Sequence, residues 1–357
     1  MRVLHCISSF EVGGAERQLA VLASAQAEAG AEVHVAFLRG GPNLALLEGS
    51  GVTTHALRSR GNVDPAITTR LVRLIRRLAP DVVQTWLTQM DVAGGLAARL
   101  TGRPWILAER ASREAYPAGW KQSLRAMLAR RADAIVANSA GGAAYWAPVA
   151  PSTPRWVIGN AIALESIRSA APAETGNGSL LFVGRLSAEK RVDLLLEAVA
   201  ACRRKPRVLL CGDGPERERL ERLAAGLGLD GAVVFLGTRR DVWPLMRAAR
   251  AVVNVSAFEG CPNVVLEAMA AGIPLVVSDI PAHRALLGEA SAWFTDPADT
   301  GAFAATLERV LADPAEASRR AAEAARRVEA FAVARIVARY DELYRSVLAA
   351  RRRRGAA

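Results

Sequence analysis

The sequence predicts an α/β protein with two doubly wound domains, each built on a parallel β-sheet covered by helices on both faces. Short apolar runs alternate with helix-length runs along the chain, a pattern typical of parallel sheets. Residues 163–178 interrupt the pattern, and their Ala, Pro, Ser, Asn and Gly content predicts a linker. The chain has 357 residues, whereas a single core rarely grows beyond about 250–300 residues. Two domains therefore fit both the length and the pattern.

The first series lies before the linker and the second follows it. The predicted strands are Val3–Ile7, Glu32–Phe37, Val52–Leu57, Asp81–Thr85, Trp105–Ala108, Ala134–Ala137 and Arg155–Ile158, then Leu180–Val183, Val208–Cys211, Ala232–Leu236, Ala251–Val255, Leu275–Ser278 and Ala292–Phe294. The predicted helices include Ala15–Ala29, Ala66–Leu78, Asp91–Leu100 and Trp120–Arg131, then Val192–Arg203, Glu216–Leu227, Asp241–Ala248, Asn263–Ala271, Thr300–Ala312 and Ala315–Ala330. Apolar residues at helical spacing in Phe331–Arg351 predict one more helix. We expect domains at 1–165 and 166–335, followed by a C-terminal segment, 336–357.

Composition limits the classes of partner. The formal net charge is +11, and only three of the 46 basic residues are Lys, so part of the basicity reflects a general preference for Arg. Anionic lipid is an expected partner of such a surface. Nucleic acid is not expected, because no basic stretch is interleaved with aromatic residues.

Neither a spanning helix nor a leader peptide is predicted. No apolar run approaches the roughly 18 residues that cross a bilayer, and Met1 leads directly into a strand. The four Cys form no C-x-x-C pair and predict reduced thiols. We expect a cytoplasmic protein, or one held on the cytosolic face of the inner membrane.

The most informative stretch runs from Ser256 to Gly272. It places Glu259 in a Gly/Pro loop, begins a helix with Asn263 as the expected N-cap, and places Glu267 one turn into that helix. The amides of Val264 and Val265 would face the loop, where a helix N-terminus attracts phosphate. A diphosphate with a sugar on each side would use all of these groups. The alternative is an ordinary strand–loop–helix connection with two solvated carboxylates.

Other predicted strand ends carry glycines and cations. Gly13-Gly14 precedes a helix in the first series, and its alternative is a flexible turn. Gly184-Arg185 and the nearby Lys190 could clamp a diphosphate, or be solvated surface charge.

Two further strand ends complete the second series. Gly212-Asp213-Gly214-Pro215 lacks the third Gly of a dinucleotide fingerprint, so NAD and FAD are not expected, and a tight turn is the alternative. The backbone after Gly237, at Thr238 and Arg239, could contact a nucleobase edge.

In this combination and order, the residues resemble the retaining glycosyltransferases of family 4, which have the GT-B fold of two Rossmann-like domains facing a cleft. The resemblance rests on Gly13-Gly14-Ala15-Glu16, Gly184-Arg185 with Lys190, Gly212-Asp213-Gly214-Pro215, and Glu259-x7-Glu267 followed by Ala-Met-Ala-Ala-Gly-Ile-Pro; Asn138-Ser139 and Asn160 also look like family positions. It covers essentially the whole chain. It implies a UDP-sugar or GDP-sugar as co-substrate, no other cofactor, and a C-terminal helix that packs back on the first domain.

The resemblance also implies roles for the residues. Glu267 would bind the ribose of the donor, Glu259 would hold hydroxyls of the transferred sugar, and Arg185 and Lys190 would neutralise the diphosphate. Backbone at Gly13, Gly14, Gly184, Gly212 and Asn263–Val265 would line the donor site, and Thr238 and Arg239 would meet the base. We find no Asp-x-Asp metal motif and expect no metal.

One departure from the family concerns a His that many relatives carry at the end of a strand in the first domain. The corresponding strand here ends in Glu109-Arg110, and these residues with Trp86 are the expected acceptor-side contacts. The loops Trp86–Asp91 and Arg110–Tyr116 offer Gln89, Glu114 and Tyr116 as weaker candidates. His5, His34 and His55 lie in or beside strands and are expected to be structural. His283 is expected only to cap a helix.

Three classes of function remain open. The first is transfer of a sugar from a nucleoside-diphosphate sugar to a hydroxyl of a glycan or lipid-linked acceptor in surface polysaccharide assembly. The second is isomerisation of a UDP-sugar, as in 2-epimerases that share the two-domain fold. The third is a non-catalytic nucleotide-sugar or glycan binder. Helix Ala66–Leu78 groups Arg70, Arg73, Arg76 and Arg77 and would lie on anionic lipid, or be a solvated face.

Overall fold

The computed structural model describes residues 1–61, 64–111, 119–239 and 241–356. These residues form two compact units. The first comprises Met1–Ala161 together with Val333–Ala357, and the second comprises Ile162–Ala332. Each unit has its own parallel sheet and hydrophobic core.

The first unit contains a seven-stranded sheet in the order β3-β2-β1-β4-β5-β6-β7. Its strands are β1 (Arg2–Ser9), β2 (Glu32–Arg39), β3 (Thr53–Ala56), β4 (Val82–Trp86), β5 (Trp105–Glu109), β6 (Ala134–Ala137) and β7 (Arg155–Val157). Its described helices include α1 (Gly14–Glu28), α2 (Ala66–Leu78), α3 (Leu87–Leu100), α4 (Trp120–Ala129) and α5 (Ala140–Val149). All strand pairs are parallel, as the continuous apolar runs predict.

The second unit repeats this architecture with a six-stranded sheet in the order β10-β9-β8-β11-β12-β13. It contains α6 (Leu164–Ser169), β8 (Leu180–Val183), α7 (Val192–Ala201), β9 (Val208–Cys211), α8 (Arg217–Gly226), β10 (Val233–Gly237), α9 (Val242–Ala248), β11 (Ala251–Asn254), α10 (Asn263–Ala271), β12 (Leu275–Ser278), α11 (Pro281–Leu287), β13 (Trp293–Thr295), α12 (Thr300–Ala312) and α13 (Pro314–Arg327). The strand order reverses between β8 and β11, and open α/β sheets bind ligands at such switch points.

The last helix, α14 (Val333–Ala356), belongs to the first unit. The apolar stripe expected in it is buried there and joins the core that covers one face of the sheet; its residues are Ile336, Val337, Tyr340, Leu343, Tyr344 and Val347. Arg351 adds a polar contact, because its Nε lies 2.9 Å from Oδ1 of Asp133. The stripe is therefore core packing within this unit.

The boundaries between the units differ from those expected at 165/166 and 335/336. Ile162 already forms a β-bridge with Ala332, which puts both chain crossings side by side at the edge of the second unit. The expected linker 163–178 is not a free connection, since it contains α6, whose Leu164 and Ile167 are buried in the core of the second unit. Its many Ala and small polar residues hid those two anchoring side chains.

Candidate active site

The strand ends of β8, β9 and β10 are held together by backbone contacts that require glycine. The N–H of Gly184 donates to Cys211 O, and the N–H of Gly212 donates to Gly237 O. Gly212 has a φ of +151°, and a Cβ there would lie 1.8 Å from Gly184 O. A Cβ on Gly214 would lie 2.3 Å from Leu186 O. The Gly-x-Gly motif therefore lets the β9 loop pack against the β8 loop.

An ion pair joins the β8 and β11 strand ends. Lys190, after β8, contacts Oε1 of Glu259, in the loop after β11. Both side chains are largely but not fully covered, at 20% and 13% exposure. Two residues that are far apart in sequence thus meet at the switch point, where each has one side open for a ligand.

The Glu259 carboxylate is also held by a hydroxyl of its own loop. The Ser256 hydroxyl lies 2.7 Å from Oε1 of Glu259 and 2.9 Å from Oδ1 of Asn254. Its single hydrogen can serve only one of these acceptors at a time. Ser278 Oγ donates to the Ser256 carbonyl at 2.6 Å, which ties this loop to the end of β12. The carboxylate is therefore fixed by its own loop before any ligand arrives.

His283 lies behind this loop, inside α11, and not at a helix cap as expected. It is fully buried, and its Nδ1 lies 2.8 Å from Ser278 O, so Nδ1 carries the hydrogen and donates. Burial lowers the pKa of His283, and the charges of Glu259 and Lys190 act on it in opposite directions. His283 is thus a neutral, buried support for the strand end that carries Ser278.

Helix α10 begins one residue differently from the expectation. Pro262 is the N-cap, with extended backbone, and Asn263 is the first helical residue, so the predicted Asn263 cap is wrong. The fixed φ of proline suits this position without a side-chain cap. The helix bond from Leu266 N to Pro262 O leaves the earlier N–H groups, including those of Val264 and Val265, without acceptors inside the helix.

Glu267 points from α10 to a partner that the sequence did not suggest. The indole Nε1 of Trp243, in the first turn of α9, lies 3.2 Å from Oε1 of Glu267 and donates to it. Glu267 is 4% exposed, so this bond orients an almost buried carboxylate. The only sequence signal was a Trp at a helix start shortly after the end of β10. Spacing could not show that α9 and α10 are neighbours.

The other predicted donor-side residues of the second unit stay near these strand ends. Arg185 is exposed after β8, and Thr238 follows β10. The guanidinium of Arg239 is engaged by Asp241, with Nε 2.8 Å from Oδ1. A contact between the backbone of the Thr238–Arg239 segment and a base stays a prediction.

In the first unit, Gly13 and Gly14 begin α1 after the end of β1. Gly13 is the N-cap, with extended backbone and no side-chain cap. A Cβ on it would lie 2.2 Å from Oε2 of Glu16, so the Glu16 carboxylate folds over this glycine. Burial raises the pKa of Glu16. Within this unit, the Gly-Gly pair therefore makes room for the Glu16 side chain.

Glu109 does not have the open position expected of an acceptor contact. It is fully buried, and its oxygens accept from the Ala111 amide at 3.0 Å and from Trp146 Nε1 at 2.9 Å. Arg125, also fully buried, lies 3.0 Å from Glu109 and 2.7 Å from Asp91. Burial raises the pKa of Asp91 to about 6. The expectation for Glu109 is corrected, because its charge is neutralised inside the unit.

Trp86 is likewise buried, and this corrects its expected place among the acceptor contacts. Its Nε1 donates to His5 Nδ1 at 3.2 Å, and His5 Nε2 lies 2.8 Å from Oε1 of Gln26. Burial lowers the pKa of His5 to about 4. His5 is therefore structural. Nδ1 of His34 lies 3.1 Å from Nε2 of His55, which agrees with the structural role expected of both residues.

The two loops that offered weaker candidates for acceptor contacts are described to different extents. Residues 87–91 are not a loop, because Leu87 adopts a left-handed φ of +68° that turns the chain directly from β4 into α3. Gln89 therefore lies on this helix. Glu114 and Tyr116 lie outside the described residues.

Arg110, unlike Glu109 and Trp86, is half-buried rather than fully buried. Its Nη2 donates to Oδ1 of Asn160, and its backbone carbonyl accepts from Nδ2 of Asn138 at 3.1 Å. Its guanidinium stacks over the Trp86 ring, 4.9 Å from the centroid. The two Asn residues that attracted attention in the sequence thus converge on Arg110.

Family models match both halves of the chain. Glycosyltransferase Family 4 matches residues 12–166, and Glycosyl transferases group 1 matches residues 165–328. The chain belongs to glycosyltransferase family 4. This confirms the resemblance inferred from the motifs.

Among curated relatives of this glycosyltransferase, the lipopolysaccharide core biosynthesis glycosyltransferase LpsE of Rhizobium meliloti is 31% identical over 84% of this chain and 86% of its own length. The lipopolysaccharide 1,6-galactosyltransferase of Escherichia coli is 27% identical over 44% of this chain and 46% of its own length.

Solved structures show the same fold. Anabaena HepE, crystallised with UDP-glucose, superimposes with a TM-score of 0.86 at 23% identity, covering 97% of this chain and 100% of that chain. The apo form of the lipopolysaccharide outer core galactosyltransferase WaaB gives a TM-score of 0.75 at 19% identity, covering 97% and 99%. The expected GT-B class, with two Rossmann-like parallel-sheet domains, is confirmed. Among the described residues, no helix combines the length and apolarity needed to cross a membrane.

Proposed function

We propose that this glycosyltransferase moves a sugar from a nucleoside-diphosphate sugar, UDP- or GDP-linked, to a hydroxyl of a glycan or lipid-linked acceptor during lipopolysaccharide or other surface polysaccharide assembly. The observation that carries the proposal is the Lys190–Glu259 pair at the β8/β11 switch point, beside the N-terminus of α10. The names of the relatives support the pathway, and HepE structures with UDP and UDP-glucose support the donor class.

Each residue has a distinct role in this proposal. Lys190 turns from Glu259 to the diphosphate when the donor binds, and Arg185 joins it. The amides of α10 hold phosphate oxygens, and Glu267, oriented by Trp243, binds the ribose. Glu259, released by Lys190 but still held by Ser256, binds hydroxyls of the transferred sugar.

We propose retention of anomeric configuration by front-face attack. The bond from the anomeric carbon to the phosphate oxygen breaks while the acceptor oxygen bonds to the same face of that carbon. The acceptor proton passes to the departing diphosphate, which leaves as the nucleoside diphosphate. Cations and the α10 dipole stabilise the leaving group, so a divalent metal is not required.

The acceptor side includes Arg110, a half-buried residue that is positioned by its contacts with Asn138, Asn160 and Trp86. We propose that the enzyme works on the cytosolic face of the inner membrane. A lipid-linked acceptor would be presented there to a protein whose first unit carries a basic helix.

The test is a panel of UDP- and GDP-sugars incubated with the enzyme, with and without a chelator of divalent metals. The expected result is release of one nucleoside diphosphate, undiminished by the chelator, with a product whose anomeric configuration by NMR matches the donor. A folded protein that releases no nucleoside diphosphate from any donor would contradict transfer. Accumulation of an epimerised donor without acceptor would favour the isomerase instead.

A further inference from the structure

A pocket of about 320 Å³ lies in the first unit, at the outer edge of the sheet. It is formed where α2 crosses the end of the edge strand β3. Its lining residues are His55, Ala56, Leu57, Arg70, Arg73, Leu74 and Arg77. This volume is at the small end of ligand pockets, about 300–1,000 Å³, and suits a headgroup-sized ligand. No residue proposed for sugar transfer takes part in it.

The cations of this pocket are not all neutralised by the protein. Arg70 is held by Asp64, with Nη1 3.2 Å from Oδ2. Arg73 and Arg77 are exposed, and across 1–61, 64–111, 119–239 and 241–356 no carboxylate lies within salt-bridge distance of either. Two guanidinium groups on one helix face therefore converge on a pocket with their donors available. Guanidinium matches phosphate geometry in a bidentate manner.

The neighbouring His55 leaves the charge of the pocket to its Arg residues. Burial, His34 and Arg77 together lower the pKa of His55. His55 is therefore neutral in the empty pocket. Glu32, the nearest carboxylate of β2, is engaged by His34 and by Arg2. The lining residues that the structure describes include no carboxylate, and Asp64 would compete with an entering phosphate only for Arg70.

The remaining lining is apolar. Leu74 is buried, Leu57 is half-buried and Ala56 is exposed. The opposite face of α2 is buried through Ile67, Leu71 and Ile75, so its Arg side chains project from a helix that is held in place. A rim of guanidinium groups over apolar side chains matches a phosphate joined to a hydrocarbon-bearing group better than it matches a free ion.

We propose that this pocket binds the phosphate of an anionic membrane lipid and so docks the first unit on the bilayer. The inference rests on the proposed function in placing the enzyme at a membrane. Arg73 and Arg77 clamp the phosphate, and Ala56 and Leu57 meet the glycerol or upper acyl region.

The test measures partition of the full chain onto sedimented phosphatidylcholine vesicles with and without phosphatidylglycerol. Arg77→Gln is compared with Arg76→Gln, since Arg76 is also exposed on α2 but does not line the pocket. Both changes remove one charge. We expect binding only with phosphatidylglycerol, a loss of about fivefold for Arg77→Gln, about 30-fold for Arg73→Gln/Arg77→Gln, and less than about twofold for Arg76→Gln.

Equal losses for Arg76→Gln and Arg77→Gln would mean diffuse surface charge and would overturn the pocket, as would an unchanged double variant. Millimolar glycerol phosphate, added at constant ionic strength, distinguishes a lipid headgroup from a free phosphate ester as the ligand of the pocket. If it displaces the protein from vesicles and protects only chains that retain Arg77 against heat, the pocket binds a free phosphate ester instead.

Donor cleavage in solution keeps the two proposals apart. Arg77→Gln should cleave a nucleotide sugar without vesicles as fast as the parent. Vesicle binding by a chain that cleaves no donor would leave the pocket standing and remove the proposed function. The reverse result would remove only the pocket.

Discussion

Glu109 and Glu259 both lie at the ends of parallel strands, yet they have opposite surroundings. Glu109, the last residue of β5, is fully buried, and it is held by Trp146 and by Arg125. Glu259, after β11, remains 13% exposed and is paired with a Lys190 that is itself 20% exposed. The Glu109 carboxylate is enclosed by side chains of its own unit, whereas the Glu259 carboxylate remains partly exposed and can contact a ligand. A strand-end carboxylate is thus a site only where the neighbouring connections leave it open.

Sheet topology explains the difference. β11 lies beside β8, where the strand order of the second sheet reverses, and open α/β sheets bind ligands at such a switch point. β5 lies between β4 and β6, beyond the reversal in its sheet. There Arg125 of α4 and Trp146 of α5 contact the Glu109 carboxylate and enclose it.

The largest expected effect comes from removing the cation from each pair. Arg125→Met removes the buried cation that pairs with both Asp91 and Glu109 and should cost about 3–5 kcal/mol in the free energy of unfolding at pH 7. Lys190→Met breaks a partly solvated pair and should cost about 1 kcal/mol or less. Urea unfolding followed by circular dichroism measures both. Similar urea midpoints for Arg125→Met and Lys190→Met would contradict the expected difference between the two ion pairs.

The carboxylates themselves give the next contrast. Glu259→Gln should lower the rate of sugar transfer about 10²–10³-fold, because a preorganised contact to the reacting sugar is lost, while the melting temperature changes little. Glu109→Gln should lower the melting temperature and leave the rate per folded molecule near that of the parent. Steady-state rates with a saturating donor, paired with thermal unfolding, test both. A large rate loss for Glu109→Gln with unchanged stability would restore it as an acceptor contact.

The last expected effect, which develops only as the pH falls below 6.5, concerns the buried imidazole of the first unit. The folded pKa of His5, about 4, lies below its ordinary value of 6.5. The unfolded chain therefore takes up the proton first, so stability is retained above pH 6.5 and is lost as the pH falls towards 4. The loss should be about 3 kcal/mol. In His5→Gln, which can still accept from Trp86 and donate to Gln26, the slope of stability against pH should flatten.

The control for this experiment is the parent chain measured in parallel over the same pH range. Other groups titrate there too, so the difference between the two slopes carries the prediction. Parallel slopes would show that His5 does not govern acid sensitivity.

Much of the fold follows from local pattern. The strand and helix series, the second sheet and the helix after Pro262 all appear close to where periodicity and caps predict them. The errors share one cause. The helix Leu164–Ser169 was concealed by linker-like composition, and the early start of α3 depends on an unusual φ at Leu87. In both cases tertiary packing overrides the local preference.

The candidate site also combines residues that the sequence predicts with residues that only packing reveals. The Gly residues after β8 and β9 could be anticipated, because close backbone approach demands them whatever the ligand. Trp243 could not be, since its contact with Glu267 joins two helices that sequence spacing does not relate. The burial of Trp86 depends on partners as distant as His5.

The sequence alone determined two parallel α/β domains, glycine-bearing strand ends, and two carboxylates placed on a loop and the helix after it. These features depend on periodicity, backbone freedom and helix capping, which neighbouring residues decide. Only the tertiary structure decided which strand ends stay open. Lys190 meets Glu259 because β8 and β11 are adjacent, and Glu109 is closed off because Arg125 and Trp146 fold over it. Burial and charge neutralisation depend on side chains brought from elsewhere in the chain, and no local pattern encodes them.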